Sequence, residues 1–117
     1  MLTDDQVIEQ CSLIKKMLEM SSYFDGCNVE CKANNDVCTT FVIASRYFIQ
    51  VNYRNNGLHD YQVGYYKRYI DDAPYLNRVY LNNGQRCSSF IKACVRIVSW
   101  VYEDELQITF PHVTIGD

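Results

Sequence analysis

Two segments with helical apolar spacing stand at opposite ends of the chain, and residues 29–81 between them alternate with a period of two. Few folds accommodate that order. The middle must build a sheet, and the two end helices must bury their apolar stripes against it.

The first helix has a well-formed start. Thr3 and Gln6 make a capping box, in which hydroxyl and amide each satisfy the other residue's backbone N–H. Leu2 and Val7 hold the staple positions, and Asp4 and Asp5 suit the positive end of the helix dipole. Val7, Cys11, Ile14 and Leu18 form the stripe, flanked by Ile8 and Met17, and the helix ends before Asp25-Gly26.

Strand patterns follow. Val29, Cys31 and Ala33 alternate with Glu30 and Lys32. Residues 37–44 are nearly continuous in β-branched and aromatic side chains, as expected of a central strand. A tight connection near Ser45-Arg46 leads to Tyr47, Ile49, Val51 and Tyr53 on one face. Asn55-Asn56-Gly57 is a hairpin signal. The return strand carries Tyr61, Val63 and Tyr65 on one side and Gln62, Gly64 and Tyr66 on the other. After the Asp71-Asp72-Ala73-Pro74 break, residues 77–81 make a short further strand or an extended segment.

Asn82-Asn83-Gly84 then opens the second helix, with Cys87, Phe90, Ile91, Cys94, Val98 and Val101 as its stripe, widened by Val95 and Ile97. Glu103-Asp104-Glu105 lies at the wrong end for the dipole, so either the helix stops earlier or these carboxylates have another role. Leu106, Ile108 and Phe110 alternate as a short last strand. The expected fold is one α+β domain over residues 1–117: an N-terminal helix, an antiparallel meander of four or five strands and a long C-terminal helix, with both helices on one sheet face.

With 117 residues, 48% of them hydrophobic, the chain has enough apolar surface for a core without metal or disulfide. A net charge of −3 disfavours a protein devoted to phosphate backbones. No run approaches the roughly eighteen apolar residues that cross a bilayer. The acidic start, Met1 to Asp5, is unlike a basic secretory leader. The expected compartment is the cytoplasm, where Cys11, Cys27, Cys31, Cys38, Cys87 and Cys94 would be free thiols packed as small hydrophobes.

Local spacing carries no catalytic, cofactor or metal motif. Cys27 and Cys31 are separated by three residues where a zinc knuckle has two, and no matching pair follows. A thiol nucleophile needs a base, and the chain offers His59 and His112 without a sequence context that joins either to a cysteine. The acidic pairs lie next to each other and diverge, and the glycines are scattered.

The most suggestive stretch runs from Tyr61 to Tyr80. Its tyrosines are interleaved with Lys67, Arg68 and Arg78, a mixture enriched at protein interfaces. Tyr65, Tyr66, Lys67, Arg68, Tyr69, Asp71, Asp72, Tyr75 and Arg78 are the expected partner-binding residues. The expected function is non-enzymatic: an inhibitor or adaptor that binds another protein, with a profile shared by phage or mobile-element inhibitors and toxin-immunity proteins. A homodimer through a sheet edge is compatible with the pattern. Two alternatives stand beside it. One is a thiol- or zinc-dependent protein. The other is nucleic-acid binding: the α–β–β–β–α order is similar to that of double-stranded-RNA-binding domains, but the segment Gly84 to Ser88 holds one arginine where those domains have a lysine-rich helix start.

Overall fold

The computed structural model describes residues 1–55 and 57–106. Ile108, Phe110 and His112, and with them the expected last strand, lie outside the described residues. The order is helix α1 (Asp4–Leu18), strands β1 (Val29–Asn34), β2 (Cys38–Ile43), β3 (Tyr47–Tyr53), β4 (His59–Tyr66) and β5 (Arg78–Tyr80), and helix α2 (Phe90–Trp100). The strands form one antiparallel meander in sequence order. Both helices lie on the same face of it: Ile14 and Leu18 of α1 and Ala93, Cys94 and Ile97 of α2 share a core with Phe41, Ile43, Ile49, Val51 and Val63.

The capping box at Thr3 forms, with the Gln6 amide donating to Thr3 Oγ1 (3.2 Å) and the Thr3 amide to Gln6 Oε1 (2.9 Å). The β2–β3 connection is the three residues Ala44, Ser45 and Arg46; Ala44 and Ser45 are both at positive φ (53° and 50°) and the Arg46 amide donates to Ile43 O (3.0 Å), the geometry that matches strand twist in tight hairpins. At the next hairpin Gly57 takes φ 80° and its amide donates to Arg54 O (3.0 Å).

Two boundaries differ from expectation. The second helix does not open at Asn82-Asn83-Gly84, which is a short 3-10 turn. Cys87 instead pairs with Tyr61 at the sheet, N–H to carbonyl in both directions (2.7 and 3.0 Å). Its backbone is thereby committed to β4, and α2 starts only after Ser89, whose hydroxyl accepts from the Lys92 amide. At the other end, Val101–Glu105 is a π-helical turn. It carries Glu105 onto Arg46, whose Nε and Nη2 donate to Oε1 (3.1 and 2.7 Å), while Tyr47 and Tyr23 donate to Oε2. Of the misplaced acids, Glu105 thus has a tertiary role. Burial pushes its carboxyl up, but the two tyrosine hydroxyls and the guanidinium together hold it below its ordinary value.

All six cysteines are free; Cys27, Cys87 and Cys94 are buried and the others half-buried. Burial raises the Cys94 thiol to about 12. No helix among the described residues is long and apolar enough to cross a membrane.

Candidate functional site

The face of the sheet away from the helices is the informative one. Glu30, Val42, Phe48, Gly64 and Tyr80 form one row across the five strands. Gly64 is required in that row: a Cβ there would lie 2.1 Å from Val79 O and 2.7 Å from the Phe48 ring. A glycine inside a strand commonly marks such a close approach. Phe48 fills the space, with Tyr66 and Tyr80 rings 5.4 and 5.3 Å from it. Beside this apolar island runs a polar ladder. Gln50 Nε2 donates to Asn52 Oδ1 (2.8 Å), and Asn52 Nδ2 donates to Asp60 Oδ1 (3.0 Å) and Gln62 Oε1 (3.1 Å).

The segment 67–77, between β4 and β5, folds back over the island. Tyr66, the last residue of β4, is 1% exposed, and its hydroxyl donates to Pro74 O (2.5 Å). Arg78, the first residue of β5, donates from Nε to the same carbonyl (3.0 Å) and from Nη1 to Gln50 Oε1 (2.6 Å). Its guanidinium lies 4.2 Å above the Phe48 ring, a stacked cation–π position. Asn77 adopts φ 59°, which asparagine tolerates, and its amide donates to Arg68 O (3.0 Å) while Lys67 N donates to Asn77 O (2.8 Å). On the outer side, Lys32 of β1 pairs with Asp71 (2.7 Å) and Glu30 (3.0 Å). Tyr69 donates to Asp71 (3.1 Å); burial and that carboxylate push the Tyr69 hydroxyl up to about 12.

The expected partner-binding residues therefore divide into two sets. Tyr66 is buried and Tyr65 stacks on Trp100 at 4.4 Å on the helix face, so neither ring is free contact surface. Each face of the sheet covers a tyrosine here, Tyr65 in part and Tyr66 fully, because the loop covers the face that alternation alone assigns to solvent. Tyr69, Asp71 and Arg78 are structural anchors of the loop. Lys67, Arg68, Asp72 and Tyr75 point outward, Tyr75 at 69% exposure, together with Leu76 and Tyr80, which the sequence reading did not place in the site. The anchors Lys32, Phe48 and Pro74 were also missed. Gly64 was the one local signal that could have pointed to them.

A cleft of about 520 Å³ opens at the far end of β4, lined by Arg54, Leu58, His59, Asp60, Arg86 and Cys87. Tertiary structure thus brings His59 and a cysteine to one place. Burial raises the Cys87 thiol, the reverse of what an activated nucleophile needs. The His59 ring packs edge-on against Tyr53 (5.1 Å). The two arginines converge on Asp60, at 2.5 and 3.2 Å. Among the described residues no group of three or more metal-ligating His, Cys, Asp or Glu side chains comes together. No family model, curated protein or solved structure matches this chain.

Proposed function

We propose that this chain is a small protein-binding module of inhibitor or adaptor type, working in the cytoplasm and making its contacts with the 67–77 loop. One observation carries the reading: an outward aromatic and apolar tip, Tyr75 and Leu76, on a segment fastened from beneath by Tyr66, Arg78 and Asn77. A loop held in one shape before binding loses little conformational entropy when a partner docks. Tyrosine adds large contact area with few rotors, and the exposed Lys67 and Arg68 beside it favour an acidic rim on the partner. Six free thiols accord with a reducing compartment.

The test uses the full chain as bait, with the Tyr75→Ala/Arg68→Ala variant beside it. Both substituted side chains are exposed, so the variant is expected to keep the wild-type melting temperature. Loss of a specific co-purifying protein, on the order of tenfold or more in affinity, supports the assignment. Identical partner lists for the two proteins would refute it.

A further inference from the structure

α2 turns Ala93, Cys94 and Ile97 toward the sheet, all of them buried. A second apolar stripe, Ile91, Val95 and Val98 on its outer side and Tyr102 in the π-helical turn that continues it, runs at spacings of four, three and four. The protein's own core leaves much of it uncovered: Ile91 is 63% exposed and Val95 56%. With Met17 and Met20 at the end of α1, the stripe lines a groove of about 400 Å³. Spacings of three and four along an exposed helix are those of a helix-pairing seam.

The charges beside the stripe identify what it pairs with. Lys92 stands next to the first residue of the stripe and Glu103 next to the last, and both are exposed. They are eleven residues apart, eight of those steps within α2 and three in the slightly wider π-helical turn that continues it, close to three turns in all, and so fall on the same flank. When two identical helices pack antiparallel, the same flank of each faces its copy in reverse order. Each Lys92 then meets the partner's Glu103, twice in a two-fold pair. We propose that this face is a homodimer interface, in which α2 packs antiparallel against α2 of a second copy. The sheet edges are the poorer choice. β1 is interrupted by an irregularity between Cys31 and Ala33 and carries Lys32, and β5 has three residues; short, bulged or charged edges resist pairing. The interface lies across the sheet from the 67–77 loop, so it stands or falls independently of the proposed function.

Sedimentation velocity of the full chain, from low micromolar to near-millimolar concentration, tests the interface. A concentration-dependent monomer–dimer equilibrium is expected. Val95→Glu should raise the dimer Kd on the order of tenfold or more, by burying a charge in the seam. Lys92→Glu should raise it about threefold, since an exposed ion pair contributes little. The Lys92→Glu/Glu103→Lys double variant should return to the wild-type value. All three positions are exposed, and melting temperatures in the dilute, monomeric range should match the wild type. The inference is overturned by a monomer at every concentration, by a dimer indifferent to Val95→Glu, or by a double variant no tighter than Lys92→Glu alone.

Discussion

On one side of the sheet, α1 and α2 press Ile14, Leu18, Ala93 and Ile97 onto Phe41, Ile43, Ile49 and Val63, and these residues are almost fully buried. On the other side, the buried island is Val42, Phe48 and Tyr66, ringed by amides, a guanidinium and hydroxyls that bond to one another. The first side is held by apolar area and close packing, which are large and non-directional. The second is held by directional contacts that individually contribute little but fix one loop geometry. Stability is therefore concentrated under the helices, while the shape of the candidate contact surface is set on the opposite face.

That contrast can be broken first where it should be strongest. Ile97→Ala leaves a cavity beneath α2 and is expected to lower unfolding free energy by ~2–5 kcal/mol; urea denaturation measures it. A loss below about 1 kcal/mol would mean that the helix-covered side is not the main source of stability.

Tyr66→Phe probes the other face. The ring stays in the island and one hydroxyl leaves Pro74 O, so the global cost should be ~0.5–1.5 kcal/mol. Backbone amides of the 67–77 loop should exchange faster with solvent than in the wild type, while those of α2 follow the global change. Amide hydrogen exchange by mass spectrometry resolves the two. Equal acceleration in both regions would show that loop shape and core stability are not separable.

The smallest effect concerns the ionised anchor that joins the end of the helix side to the β2–β3 turn. Glu105 is held below its ordinary value of 4.5 in the folded protein. A depressed carboxyl contributes stability that is present above the unfolded-state value and is lost as pH falls through the folded one. Stability measured from neutral pH into that acidic window should fall more steeply for the wild type than for Glu105→Gln. Parallel profiles would remove Glu105 from the account of acid sensitivity.

Local chemistry was legible wherever neighbours in sequence decide the outcome. Thr3 and Gln6 cap α1 because the partners are three residues apart. The alternation of Tyr61, Val63 and Tyr65 against Gln62, Gly64 and Tyr66 holds in the register with β3. The start of α2 was misplaced because Cys87 is claimed by Tyr61, twenty-six positions earlier, and propensity near Asn82-Asn83-Gly84 carries no trace of that pairing. The tyrosine-rich segment was singled out as a site, but the sorting of its residues into outward and anchoring sets was not visible. Tyr66 belongs with the anchors because Pro74 returns over it, and alternation reports only which face a side chain points to.

By itself, then, the sequence determined the α+β order, the meander and the single helix-covered face. Period, caps and turn residues act over a few positions and need no distant partner. Only the tertiary structure decided that the loop closes over Phe48, that Glu105 reaches Arg46, and that α2 is left with a second apolar stripe facing outward. Each of these depends on groups far apart in sequence meeting, or failing to meet, in space.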